Sequence, residues 1–556
     1  MHNTATTADI GIGNDVHPSA LTRGLHGTVG EADYTTFTGP FRTALLQHVT
    51  PCVTDPSTVQ PAGTIALLPN ECADSVIAKA AQVRPDPRQV AWQRGGPMAF
   101  LHFGVNTFTG LEWGTGTEDP NVFQPTGLDT DQWAQTLKAD GFAGAILTVK
   151  HHDGFLLYPS RYSNHSVASS SWDGGKGDVL RSFADSMHKY GLRVGVYISP
   201  ADENQYANGV YANGSARTAR TVPTLVPGDD RAGKGLPSYT LPADDYGAYM
   251  LNQLYEVLTQ YGTVDEVWFD GAQGRIPADK VESYDFDSWY ELIRALAPQA
   301  VIANEGPDVR WVGNESGVGR QNEWSVLPST AQADGKPSPT ADYSAADMGS
   351  RAVLATAGAD ATQLSWYPSE TDVSIRPGWF YHSAQDGQLK TVGQLTDIYR
   401  QSQGRDSLLL LNVPPNQAGQ LAPGDVARLN DWHADLTRLF SDDLARAATA
   451  TATDTAPGSS PANALDGSPD TAWQTGGGVP ATLTVDLGAA ERVDTVAAAE
   501  DIRQGQQIDS FTVEYQDATG AWVPIPTAEQ TLSVGAGRIL PLTTPVTAQR
   551  IRQTVT

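Results

Sequence analysis

His102, His151, His152, Tyr197 and Asp270 share one placement: each stands at or just past the C-terminal end of a short apolar run. The runs are PMAFLHFG (97–104), AGAILTVK (143–150), RVGVYISP (193–200) and DEVWFDG (265–271). A strand that ends at such a residue fixes its side chain on rigid backbone, and the loop that follows opens space for a ligand. Asp270 is followed by Gly271-Ala272, so a carboxylate held by VWF would face room for a ring-shaped substrate. Carboxylate, imidazole and phenol together suit nucleophilic and acid–base chemistry. The plainer alternatives are an Asp that caps the next helix and His residues that satisfy backbone at a rim. A metal reading of His151-His152-Asp153 is disfavoured, because adjacent strand residues point to opposite faces and no second cluster is spaced to complete a site. No metal is therefore expected.

These residues need a scaffold that gathers strand ends. Two more apolar runs, QAVIANEG (299–306) and SLLLLNV (407–413), follow the first four. Between the runs lie amphipathic segments such as DTDQWAQTLKADG, with Asp129 or Thr130 at its start and Gly141 at its end, then DVLRSFADSMHKYG and YGAYMLNQLYEVLTQYG. Strands alternating with helices predict a parallel sheet in βα units. With further strands near 309–313 and 362–367, the expected fold is a (β/α)8-like TIM barrel, irregular in its second half, over residues 86–442. Residues 1–85, rich in Thr, Gly, Pro and Asp, read as an irregular N-terminal leader with some short strands. After VARLNDWHADLTRLF comes the small-residue stretch ARAATATATDTAPGSSPANA, which suits a linker or first edge strand. TLTVDLG, RVDTVAAAE and DSFTVEYQDATGAWVPI then alternate apolar and polar residues, so residues 443–556 are expected to form an all-β sandwich.

Composition excludes some partners. Of the 556 residues, 36 are Lys or Arg and 63 Asp or Glu, a formal charge of -27. Such a field repels phosphate backbones and anionic lipid, so neither nucleic acid nor membrane is an expected partner. No stretch approaches the roughly 20 apolar residues a membrane span needs, and no signal peptide is visible. The two cysteines, Cys52 and Cys72, leave open a bridge closing a short loop in an oxidising compartment.

HFGVNTF (102–108), EWGTGTEDP (112–120), KHHDGF (150–155), VWFDGA (267–272) and SIRPGWFYH (374–382) resemble glycoside hydrolase family 29, the α-L-fucosidases, over roughly residues 85–440. The resemblance implies a retaining, exo-acting enzyme without a catalytic cofactor, with Asp270 as nucleophile. Its acid/base is Glu315, in GPDVRWVGNE (306–315), with Glu305 and Glu323 as competitors. It further implies that His102, Glu112, Trp113, His151, His152 and Tyr197 contact fucose hydroxyls while Trp379 lines the methyl side. EWGTGTEDP, VRWVGNE and SIRPGWFYH look like the subgroup acting on α-1,3- or α-1,4-linked fucose in Lewis-type glycans, so fucosylated oligosaccharides and glycoconjugates are the expected partners. Intact Asp270 and Glu315 argue against a non-catalytic glycan-binding barrel; a glycosidase for another sugar is the remaining alternative. Asp119, Trp366, Glu370 and Asp372 lie near the motifs and could reach a neighbouring galactose or GlcNAc, but ordinary loop stabilisation explains them equally well, and they are left outside the core site.

NALDGSPDTAWQT (463–475), LTVDLG (483–488) and VEYQDATGAW (513–522) resemble discoidin-like F5/8 type C modules of the kind grouped in carbohydrate-binding family 32, short by one terminal strand as in a truncated copy. This implies a jelly-roll sandwich, leaves open a structural calcium near Asp466, and leaves open whether the module binds sugar or props the barrel. The modular layout and the family together imply an extracellular or cell-surface protein.

Overall fold

A computed structural model describes residues 2–5, 8–11, 52–55, 57 and 59–556. Eight parallel strands build a nearly closed barrel: β1 (Met98–Leu101), β2 (Gly144–Lys150), β3 (Arg193–Ile198), β4 (Glu266–Phe269), β5 (Val301–Asn304), β6 (Arg310–Trp311), β7 (Ser369–Ser374) and β8 (Ser407–Asn412). Their order is β5-β4-β3-β2-β1-β8-β7-β6, and a single bridge, Ala303 to Val309, joins the two ends.

Strand alternation sorts the apolar side chains into two sets. Met98, Phe100, Ile146, Tyr197, Trp268, Val301, Leu408 and Leu410 fill the barrel interior. Their neighbours Ala99, Leu101, Ala145, Leu147, Val194, Val196, Val267, Phe269, Leu409 and Leu411 face outward onto the helices. Burial on both faces explains why these runs read as continuously apolar. Helices α1 (Thr130–Ala139), α2 (Val179–Lys189), α3 (Asp245–Gln260) and α4 (Phe286–Leu296) follow β1 to β4 in turn; α5 (Val392–Gln401) and α6 (Pro423–Phe440) follow β7 and β8. Asp129, Asp178 and Asp244 cap α1 to α3 by accepting from backbone N–H groups of the first turn.

The second half departs from the expected pattern. No helix separates β5 from β6. The segment 362–367, expected as a barrel strand, does form a strand, Gln363–Trp366, but it belongs to a four-strand antiparallel sheet with Pro337–Pro339, Val326–Ala331 and Thr64–Ala66. The barrel strand is the next segment, SETDVS, whose polar character hides it from an apolar-run search. The leader contains a short strand, of the kind expected, and also a helix. Thr64–Ala66 joins that sheet, and helices Ala73–Ala80 and Pro87–Gln93 pack below the barrel, sharing a core of Ile65, Leu67, Val76 and Val83 with Leu364 and Trp366. Their apolar partners lie some 300 residues further along the chain, so local periodicity could not reveal them. Cys52 and Cys72 form a disulfide, with Cα atoms 4.8 Å apart. The rest of the leader reading, apart from a short hairpin of His2–Ala5 with Ala8–Gly11, lies outside the described residues.

The C-terminal domain is antiparallel: β9 (Thr449–Ala452), β10 (Ala481–Ala498), β11 (Phe511–Gln516), β12 (Trp522–Pro524) and β13 (Arg538–Val555), in the order β9-β10-β13-β11-β12. Ala481 and Val496 stand at opposite ends of β10, a separation of about 50 Å if it were straight, yet both meet Phe511, Val513 and Leu540 in one core. The long strands therefore fold over, and register shifts between Asp486 and Glu491 and between Val493 and Thr495 supply the bends. Among the described residues no helix is long and apolar enough to cross a membrane.

Candidate active site

Asp270 follows β4 directly, and both its carboxylate oxygens are held. Tyr197 Oη donates to Oδ2 at 2.9 Å, and the Ala272 N–H donates to Oδ1 at 2.7 Å. His152 Nε2 stands 3.8 Å from the same Oδ2. Tyr197 is itself fixed, its ring stacked on Trp268 with centroids 5.2 Å apart.

Three imidazoles converge beside this carboxylate. The His151 and His152 rings lie 4.1 Å apart, and the His102 ring lies tilted beside Trp379 at 5.0 Å. The expectation that the adjacent His residues face opposite ways fails, because β2 ends at Lys150 and both lie in the turn beyond it. The cluster still gathers no cage: among the described residues no group of three His, Cys, Asp or Glu is placed to hold a metal. Burial pushes His102 down to about 3, and His151 and His152 below the ordinary imidazole value, so all three are neutral at pH 7. Asn412, at the end of β8, donates to the Trp379 carbonyl at 2.8 Å, which turns its own Oδ1 toward His102 Nδ1 at 2.9 Å. That nitrogen must carry the proton, leaving His102 Nε2 as an acceptor for a ligand hydroxyl.

Two loops form the rim. In EWGTGTEDP, Trp113 is exposed with its ring 4.3 Å from His152. Gly116 (φ 77°) turns so tightly that a Cβ would lie 2.3 Å from the Glu203 and Asn204 backbone, which explains a glycine there. In SIRPGWFYH, the Trp379 N–H donates to Glu112 Oε2 at 3.0 Å. Glu112 thus ties the two loops together at the mouth.

The structure separates the three candidate proton donors. Glu323 is buried between Arg310 and Arg320 (3.1 Å), an arrangement that holds its carboxyl below the ordinary value against the cost of burial. Glu305 is paired with Lys336. Glu315 is raised, first by partial burial and then by the Asp270 charge, while the Trp379 indole works in the other direction. Two carboxyls whose surroundings differ in this way can divide acid and nucleophile roles.

With this geometry in place, the comparisons decide the family. The chain matches the α-L-fucosidase family over residues 102–436 and the F5/8 type C domain over residues 447–556. The chain belongs to the α-L-fucosidase family of glycoside hydrolases. Among its relatives, α-L-fucosidase 1 of Arabidopsis thaliana is 39% identical over 365 residues, 66% of this chain and 62% of that protein. A GH29 fucosidase of Ruminococcus gnavus, solved in complex with fucose, is 29% identical with a TM-score of 0.71, covering 85% of this chain and 92% of that chain.

The fucosidase-family stretch holds site residues that sequence reasoning missed. Asn412 obeys the strand-end rule and was open to it. Asp372, named from the sequence but set aside, lies on the polar strand β7. It is buried, accepts from the Trp311 indole at 2.8 Å, and is pushed up to about 7 by burial, with the Glu315 and Asp270 charges adding and the Trp311 bond opposing. Glu370, two residues earlier, accepts from Trp268 at 2.8 Å beneath Tyr197. Neither acts as a loop stabiliser. Asp119 and Trp366 do serve locally: Asp119 caps a turn through the Asn121 N–H at 2.9 Å, and Trp366 donates to Gln93 at 2.9 Å. Asp466 has one oxygen on the Ser468 N–H (2.8 Å) and one on the Thr471 hydroxyl (2.7 Å), both within its own loop.

Proposed function

We propose that the protein is a retaining, exo-acting α-L-fucosidase that removes terminal fucose linked α-1,3 or α-1,4 in Lewis-type branched glycans. The observation that carries this reading is the pair of unlike carboxyls at one barrel mouth: Asp270, fixed by Tyr197 and Ala272, and Glu315, raised first by partial burial and then by the Asp270 charge. In the first step Asp270 attacks the anomeric carbon as the bond to the leaving oxygen breaks, and Glu315 gives that oxygen its proton. In the second, Glu315 takes a proton from water, the water oxygen attacks the anomeric carbon, and the Asp270 ester bond breaks. Neutral His102, His151 and His152 offer hydroxyl partners without placing a cation beside the developing positive charge. Fucose as the ring sugar is supported by the fucose complex of the Ruminococcus gnavus relative. The linkage rests on the subgroup-like motifs EWGTGTEDP and SIRPGWFYH, whose loops Glu112 joins by accepting from the Trp379 N–H. Contacts to that group can be expressed in the transition state. The Cys52–Cys72 bridge supports an extracellular or cell-surface location.

Digestion of defined oligosaccharides tests the proposal. A branched substrate with α-1,3- or α-1,4-fucose on GlcNAc beside galactose should be cleaved far faster than α-1,2-fucosylated galactose. Equal rates would reject the linkage assignment and leave the broader activity standing.

A further inference from the structure

We infer that the C-terminal β domain is a clamp that positions the proton donor, a role that rests on Glu315 being the acid of the proposed reaction. Glu315 lies on no strand or helix; it sits in the segment 310–325, between β6 and the strand Val326–Ala331. The barrel holds the near end of that segment, through Asp372 and Trp311 (2.8 Å). The β domain grips the far end. The N–H groups of Gln530 and Leu532 donate to the Gln321 and Asn322 side chains at 3.2 and 3.0 Å. Arg538, on β13, donates to the Gln321 carbonyl at 2.6 Å, and the Ser325 N–H donates to Gln506 at 2.9 Å. Between these residues sits Glu323, whose carboxylate joins Arg310 at the near end to Arg320 at the far end.

The chemistry of this contact is more than attachment. A tethered module could be held by apolar contact alone, whereas the fully buried Arg538 divides its guanidinium between Glu529 (3.3 Å) and the Gln530 carbonyl of its own domain and the Gln321 carbonyl of the segment it grips. Buried charged groups of this kind are costly and are best attested where they fix a register. Arg405 strengthens the point from the barrel side: it donates to the Gly319 carbonyl at 3.0 Å and forms a two-pronged pair with Glu529 at 2.9 and 2.7 Å. Inside the loop, Gly317 packs where a Cβ would lie 2.9 Å from Ile398 and 3.0 Å from Val373. With both ends fixed and the middle packed, the reach of Glu315 toward Asp270 is set by residues that never touch substrate. The two motif tryptophans of the β domain are meanwhile occupied, Trp473 by the Asp454 carbonyl (3.0 Å) and Trp522 by the Arg552 guanidinium (4.4 Å from the ring).

The test uses the full chain and two substrates, a Lewis-type trisaccharide and dinitrophenyl α-L-fucoside, whose leaving group departs without a proton. The variants are Arg538→Met and the double variant Gln506→Ala/Asn322→Ala, each first checked for a cooperative thermal transition. If Arg538→Met does not fold, the double variant decides. A displaced acid should lower kcat/KM on the trisaccharide on the order of 10²-fold while leaving the dinitrophenyl substrate within about threefold, and should distort the alkaline limb of the pH profile. Equal losses on both substrates, or no loss on either, would overturn the clamp. A wild-type protein inactive on both would instead sink the functional reading beneath it.

Discussion

The two halves of the barrel position their carboxyls in different ways. Strands β1 to β4 are apolar, each followed by its own helix, and Asp270 is held by the last of them with its oxygens fixed by Tyr197 and Ala272. The second half has no helix after β5, a two-residue β6, and a polar β7, and Glu315 stands on the loop among them. A nucleophile has to meet one carbon along one line, which a strand end provides. A proton donor must serve varied leaving groups and then act as a base, and in the proposed mechanism it is set by ion pairs, a glycine contact and a second domain.

The largest expected effect tests the rigid half. Asp270→Ala should retain a cooperative unfolding transition and lose on the order of 10⁴-fold or more in kcat; substantial turnover would remove Asp270 from its role. On the loop half, Glu315→Gln should lose roughly 10²- to 10⁴-fold on glycans and much less on dinitrophenyl fucoside. Because Glu315 must start protonated, wild-type activity should fall as pH rises through its raised value, and the variant should lose that alkaline limb. A limb that survives in Glu315→Gln would move the acid to another residue.

A smaller effect is expected at the seam between the halves. Asn412→Ala removes the group that orients His102 and holds the Trp379 carbonyl, and kcat/KM should fall by about tenfold, the scale of one such hydrogen bond. An unchanged kcat/KM would mean that the packing alone orients His102.

The smallest change concerns stability. An unfolded Asp loses its proton near pH 4, whereas buried Asp372 keeps its own up to about 7. Between those values the folded state binds more protons, so its contribution to stability falls as pH rises and is flat above. Asp372→Asn should therefore lose less Tm than the wild type between pH 5 and pH 8. Parallel Tm curves would contradict the buried titration.

The same contrast explains what could be read from the chain. Six apolar runs, from PMAFLHFG to SLLLLNV, contain barrel strands because burial on both faces leaves a continuous apolar signal. SETDVS left none, because Glu370 and Asp372 each accept from an indole N–H, from β4 and β6, partners no local window contains. The strand-end rule brought His102, His151, His152, Tyr197 and Asp270 to one mouth and extends to Asn412. It could not place Glu315, which only the motif resemblance singled out. The packing of the leader's described residues escaped for the reason β7 did: Ile65 and Val76 find their apolar neighbours at Leu364 and Trp366.

The most direct test of the account is to trap the intermediate. Incubation with a slow 2-deoxy-2-fluoro-fucosyl fluoride, followed by peptic digestion and mass spectrometry, should find one fluorofucosyl group on the peptide that carries Asp270, with the label lost on addition of a glycan acceptor. A label on any other carboxylate, or turnover of the reagent with inversion and no label at all, would contradict the assignment of Asp270 as the nucleophile of a retaining enzyme.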